Sequence, residues 1–133
     1  MMNTHLRFVF ELQAIADLQG NNIQFLAQAE SLLTSLEVQN YRVLVQSNQL
    51  AQAKALGINV EQITFCNNKA DLSQFLHNNQ VDYLFLNQFH DFTCDRNQCF
   101  TQLVLVDHQD NLLPEPQSLY VNSWQELSAL FTE

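Results

Sequence analysis

Residues 6–20 read LRFVFELQAIADLQG, and this stretch decides how the rest of the chain is interpreted. Leu6–Phe10 is a nearly continuous apolar run, which is typical of a strand that is buried on both faces of a sheet. Glu11 and Gln13 follow where that strand runs into a loop. Because open α/β sheets bind ligands at the carboxyl ends of their strands, these two polar residues are the first candidates for a functional site.

Similar apolar runs return along the chain and alternate with segments of helical period. The further predicted strands are Arg42–Val45, Gln62–Phe65, Tyr83–Leu86, Leu103–Val106 and a weaker Leu119–Val121. Strands that alternate with helices favour right-handed crossover units and a parallel sheet that is covered on both sides. The sequence therefore predicts one three-layer α/β/α, Rossmann-like domain over residues 1–133, with a mostly parallel sheet of five to six strands.

Local signals predict where the helices begin and end. Asn21 or Asn22 is expected to cap a helix whose inward stripe runs from Phe25 or Leu26 to Leu36. A second helix is expected between Asn48, its cap, and Gly57, a left-handed residue at its C-terminal end. A third has the apolar face Leu72, Phe75 and Leu76 and ends at Asn78 and Asn79. A last helix is expected to begin with a capping box of Ser123 and Glu126.

Composition limits the classes of function. The net charge is −9 with five Lys and Arg residues, so such a surface repels phosphate backbones and ordinary nucleic-acid binding is not expected. No apolar run approaches the length of a membrane span, and the N-terminus lacks the features of a signal peptide. Three cysteines without framework spacing favour reduced thiols and a cytoplasmic protein. Asn and Gln are abundant, which we interpret as a bias of lineage.

The order of these elements resembles that of the haloacid dehalogenase-like (HAD-like) hydrolases. Three stretches carry the resemblance: AESLLTSLEVQNYRVLVQSNQLAQAKALGI (residues 29–58), CFTQLVLVDHQDN (99–111) and SLYVNSWQELSALF (118–131). The first resembles the region of the family in which a strand ends in a phosphate-contacting Ser or Thr. The other two resemble the family's last strands and closing helix. The likeness is one of pattern over nearly the whole chain rather than of invariant residues.

The resemblance implies site residues, and this chain departs from the family at the most important of them. The family's first strand ends in Asp-x-Asp, a nucleophile and a general acid/base. Glu11 stands at the nucleophile position, where its extra methylene displaces the reacting oxygens. Gln13 stands at the acid/base position and cannot titrate. Ser47 matches the phosphate-contacting hydroxyl, and Lys69 matches the family's lysine.

The family's magnesium ligands are also degraded. In YLFLNQFHD (residues 83–91), Asn87 and Gln88 stand at the strand end, and Asp91 is the nearest acid. Mg²⁺ prefers carboxylates in a near-octahedral shell, so no cofactor is expected unless hydrolysis is retained. The stretch AIADLQGN (residues 14–21) is too short for an inserted cap domain. The resemblance thus implies a capless domain that has lost hydrolysis and acts through binding.

Alternatives remain open for most of these residues. Glu11 and Gln13 could be plain strand-end residues, part of a non-hydrolytic binding pocket, or part of a working active site. Lys69 has the alternative of an ordinary surface residue, and Ser47 that of a turn hydroxyl. A zinc site is a minor hypothesis for six residues: His90, Asp91, Cys94, Asp95, Cys99 and His108. Aromatic and charged residues are interleaved in the Phe89–Phe100 segment, the candidate surface for a protein partner.

Three functions follow from these alternatives. The first is a protein-interaction or regulatory module without hydrolytic activity. The second is a Mg²⁺-dependent phosphatase that uses Glu11 as an unusual nucleophile. The third is an acidic decoy for a basic groove, suggested by the net charge alone.

Overall fold

The computed structural model describes residues 4–18, 23–36, 41–89, 92, 101–107, 118–121 and 124–125. Within these residues the strands are β1 (Thr4–Glu11), β2 (Ala16–Asp17), β3 (Gln24–Phe25), β4 (Tyr41–Val45), β5 (Ile63–Phe65), β6 (Asn79–Leu86), β7 (Gln102–Val106) and β8 (Ser118–Val121). The α-helices are α1 (Leu12–Ile15), α2 (Ala29–Ser35), α3 (Leu50–Ala55) and α4 (Lys69–Asn78). Short 3-10 turns lie at Ser47–Gln49 and Val60–Gln62.

Six strands form one sheet in the order β5-β4-β1-β6-β7-β8, and every adjacent pair is parallel. After β1, the strands β4 and β5 are added on one side of it, and the later strands β6, β7 and β8 are added on the other side. The predicted Rossmann-like, mostly parallel sheet is therefore confirmed, including its weak sixth strand. The order reverses between β1 and β6, which is where sheets of this kind leave a crevice at the carboxyl ends of their strands.

Alternate residues of the central strands enter two hydrophobic clusters on opposite faces of the sheet. On one face Phe10, Phe85 and Trp124 pack with ring centroids 4.9–5.6 Å apart, together with the buried residues of α1, α2 and α3. On the other face Leu84 packs with residues of α4. The Trp124 indole also donates a hydrogen bond to the carbonyl of Ala14 (2.8 Å). Trp124 thus packs against the sheet, whereas the predicted capping box of Ser123 and Glu126 lies outside the described residues.

The segment after β1 differs from the prediction. No helix begins near Asn21 or Asn22 in the described part of this segment. Instead, β3 pairs antiparallel with β2, and α2 begins only at Ala29. Gln28 takes a left-handed conformation (φ 72°), which stops the helix from extending back toward β3. Gln has no special preference for that conformation, so the sequence carried no signal for this boundary.

The two following helices match the prediction more closely. A reciprocal pair of Gln46 and Gln49, rather than Asn48, caps the turn that leads into α3. Gly57 is left-handed (φ 83°), as expected for a residue that follows a helix. In α4 the predicted apolar face is present, with Leu72 and Leu76 buried.

Candidate site at the carboxyl edge of the sheet

Glu11 is the last residue of β1 and is only 3% exposed. Its carboxyl group accepts hydrogen bonds from three consecutive backbone N–H groups in the turn that follows β6. Oε1 accepts from Asn87 (2.6 Å) and from Gln88, and the N–H of Phe89 lies 3.4 Å from Oε1 and 3.2 Å from Oε2. The Glu11 side chain therefore fills the crevice between the ends of β1 and β6 and joins the two strand ends by hydrogen bonds.

Local packing explains why the turn presents its N–H groups to Glu11. Glu11 alternates along β1 in phase with Val9, so it points to the α4 face of the sheet. Phe89 and Phe92 are buried on that face, and the N–H of Phe92 donates to the carbonyl of Phe89 (2.9 Å). The Asn87 carboxamide donates to the carbonyl of Val106 at the end of β7 (2.8 Å). The turn is thus anchored on both sides of the residues that contact Glu11.

The surroundings of Glu11 shift its ionisation. Burial, which penalises the charged form, raises the pKa of Glu11 from 4.5 to about 7, and the three backbone hydrogen bonds offset only part of that effect. The buried thiol of Cys66 follows β5, and its pKa rises to about 12, first through burial and then through the charges of Asp71 and Glu11. Burial therefore makes the Glu11 carboxyl group harder to ionise than that of an exposed glutamate.

A second set of contacts occupies the loop after β5. The N–H of Ser47 donates to the Asn67 side chain (2.7 Å), and the N–H of Asn67 donates to the Asp71 carboxylate (3.0 Å). Asn68 caps α4 by accepting from the N–H of Asp71 (2.8 Å). Side chains of this protein therefore accept the hydrogen bonds of these N–H groups, as Glu11 does in the turn after β6.

The remaining predicted site residues do not join Glu11 in its buried crevice. Ser47 and Lys69 are exposed, and Lys69 is the first residue of α4. Gln13 lies in α1 and is half-buried. Asp91 lies outside the described residues, as do the other five residues of the zinc hypothesis. Of the predicted partner segment, Phe89 and Phe92 are described, and both are buried.

The donor set around Glu11 does not fit the magnesium ion that the resemblance implies. Three N–H dipoles point their positive ends at the Glu11 carboxyl group, and the amide nitrogen of Asn87 is bonded to Val106. In the described part of the chain, no group of three or more His, Cys, Asp or Glu residues is placed to hold a metal ion. A cation would meet N–H donors here instead of the oxygen ligands that Mg²⁺ prefers. This crevice suits an anion or a neutral carboxyl group.

Sequence reasoning missed two features of this edge. It did not foresee that Glu11 bonds to the turn after β6, because contacts between distant residues leave no local pattern. It also passed over Asp107, which is 1% exposed directly after β7 and accepts a hydrogen bond from the Tyr120 hydroxyl. An acid that directly follows a buried strand, as in LVLVD, was the signal that could have identified it.

A cleft of about 140 Å³ lies apart from this edge, on the face covered by α2. Its walls include the apolar residues Leu33, Tyr41 and Ile58 and the polar residues Glu30 and Gln62. The cleft contains none of the residues that the sequence singled out for chemistry. It therefore adds no candidate catalytic group.

Comparisons with family models, curated proteins and solved structures found no match to this chain. Among the described residues, no helix is both long and apolar enough to cross a membrane.

Proposed function

We propose that this chain is a non-hydrolytic α/β domain that resembles the HAD-like hydrolases and acts by binding, as a protein-interaction or regulatory module. The observation that carries this proposal is the Glu11 carboxyl group, which is buried and held by three backbone N–H groups. A nucleophile must reach the reacting atom of its substrate with an aligned lone pair. Glu11 directs its oxygens into the protein instead.

Two further observations support the loss of hydrolysis. Gln13, at the position where the resemblance calls for a general acid/base, is a carboxamide and transfers no proton. The environment of Glu11 offers N–H donors where a hydrolase of this type would need oxygen ligands for a cation. Binding without turnover is the role that these residues can still perform.

The binding surface itself is proposed on the Phe89–Phe100 segment. Because Phe89 and Phe92 are buried, they would anchor that segment, and the residues between and after them would supply the contacts. Exposed apolar side chains on the two edge strands are a second candidate surface: Phe65 on β5 is 52% exposed and Leu119 on β8 is 44% exposed. A cytoplasmic location is part of the same proposal and agrees with the free thiol of Cys66.

The test is a hydrolysis assay with a panel of phosphate monoesters in millimolar Mg²⁺, together with binding of a beryllium fluoride phosphate mimic. We expect neither turnover nor Mg²⁺-dependent binding by the wild-type protein. Glu11→Ala is the diagnostic variant, and Glu61→Ala, at an exposed glutamate, is its matched control. Mg²⁺-dependent turnover that Glu11→Ala abolishes and Glu61→Ala retains would establish the phosphatase alternative and overturn the proposal.

A gain-of-function experiment sharpens this result. The double variant Glu11→Asp, Gln13→Asp restores the Asp-x-Asp pattern, but it leaves the three N–H groups and the Asn87 carboxamide in place. We therefore expect no turnover from it. Recovery of Mg²⁺-dependent hydrolysis by these two changes alone would show that the rest of the machinery is intact.

A further inference from the structure

The turn after β6 presents the N–H groups of three consecutive residues, Asn87, Gln88 and Phe89, to one carboxyl group. Successive N–H groups that converge on one point form a concavity with positive potential, which favours anions. The turn is also held independently of Glu11, because Phe89 is buried and the Asn87 side chain is bonded to Val106. The turn therefore has the geometry of an anion-binding site, and the Glu11 carboxyl group occupies that site.

We propose that residues 87–89 form a carboxylate-binding site, and that Glu11 is the ligand supplied by the same chain. Both oxygens of the carboxyl group face N–H donors, since Phe89 lies within hydrogen-bond distance of each. A carboxamide in the same place would turn its NH₂ group toward one of those donors. The site therefore selects a carboxylate or carboxylic acid over an amide.

This inference deepens the proposed function, on which it rests, by naming the chemical class that the closed crevice accepts. The two fail in different experiments. Hydrolysis by the wild-type protein would overturn the proposed function and leave the N–H groups in place. Absence of carboxylate binding by the emptied site would overturn the present inference and would not create hydrolysis.

The experiment empties the site and refills it. Glu11→Ala removes a fragment with the atoms of acetate, so acetate should bind the variant and raise its thermal midpoint at pH 5, where acetic acid and its anion are both present. At about ten times the dissociation constant, the expected rise is about 5 °C. Sodium chloride at equal ionic strength and acetamide at equal concentration should give no comparable rise. Glu61→Ala and the wild-type protein, whose site is filled, should respond to acetate no more than to chloride.

Two results would overturn the inference: no acetate-specific stabilisation of Glu11→Ala, or an equal effect of acetamide. If Glu11→Ala does not fold even in acetate, amide NMR of the wild-type protein and of Glu11→Gln decides. The amide protons of residues 87–89 should titrate together with Glu11 in the wild-type protein and stay constant in Glu11→Gln. Rapid solvent exchange of these amides, or the absence of a common titration, would show that the turn does not bind the carboxyl group.

Discussion

The turn after β6 and the loop after β5 lie at the same edge of the sheet and use the same kind of bond. In each, a side chain of the protein accepts hydrogen bonds from backbone N–H groups: Glu11 from residues 87–89, and Asn67 and Asn68 from the ends of neighbouring elements. The difference is burial, because Glu11 is 3% exposed whereas Asn67 and Asn68 are exposed. A broken bond in the loop is replaced by water, but a broken bond in the turn leaves a buried donor unpaired.

The comparison therefore predicts unequal costs for similar contacts. In the turn, the carboxyl group serves three donors at once and lies on the central strand, so its loss affects the middle of the fold. In the loop, each acceptor serves one donor near solvent. Substitutions in the turn should therefore cost more stability than substitutions in the loop.

Glu11→Ala should lower the free energy of unfolding by about 4 kcal/mol at pH 5, because it leaves two buried N–H groups and one partly buried N–H group without an acceptor. Denaturant unfolding of the variant and the wild-type protein measures this difference. Glu61→Ala, at an exposed position, should change stability by less than about 0.5 kcal/mol. Equal losses of stability for the two substitutions would mean that the burial of Glu11 does not make its carboxyl group more important to stability than the exposed one of Glu61.

The second prediction concerns the pH dependence of stability. The pKa of Glu11 is about 7 in the folded protein, raised from an ordinary value of 4.5. Glu11 therefore binds more protons in the folded state over that interval, and its contribution to stability falls as the pH rises from about 4.5 to 7. The loss that this shift implies is about 3 kcal/mol. Glu11→Gln removes the titration, so the difference in unfolding free energy between wild type and variant isolates the effect.

Unfolding curves at pH 4.5, 6 and 8 would measure this difference. Cys66, a titratable residue that interacts with Glu11, has a pKa of about 12, which lies above this pH range. A wild-type stability that rises with pH relative to Glu11→Gln would have the wrong sign. It would show that the N–H groups stabilise the carboxylate more than burial destabilises it.

The two regions also differ in how much of them the sequence predicted. The strand ends were found from apolar runs, so Glu11, Ser47 and Asn87 were placed at the correct edge of the sheet. The helical period likewise located α4 with its inner face. These features depend on neighbours within a few residues, which is the range over which a sequence pattern carries information.

The rest depends on contacts that no local pattern encodes. Glu11 and Phe89 lie far apart in the sequence, and their hydrogen bond follows from the pairing of β1 with β6. The start of α2 depends on the left-handed backbone of Gln28, a residue type that does not indicate this conformation. The sequence therefore located the edge of the site but did not reveal that Glu11 closes it.

The smallest expected effect comes from the loop after β5. Asn68→Ala removes the acceptor for the N–H of Asp71 at the start of α4, and loss of such a cap costs about 1 kcal/mol. Ser73→Ala, at an exposed position within α4, is the matched control and should be neutral or slightly stabilising because alanine favours helices. Denaturant unfolding should thus rank Asn68→Ala well below Glu11→Ala in cost. A larger effect of Asn68→Ala would mean that the loop, and not the buried turn, holds this edge of the sheet together.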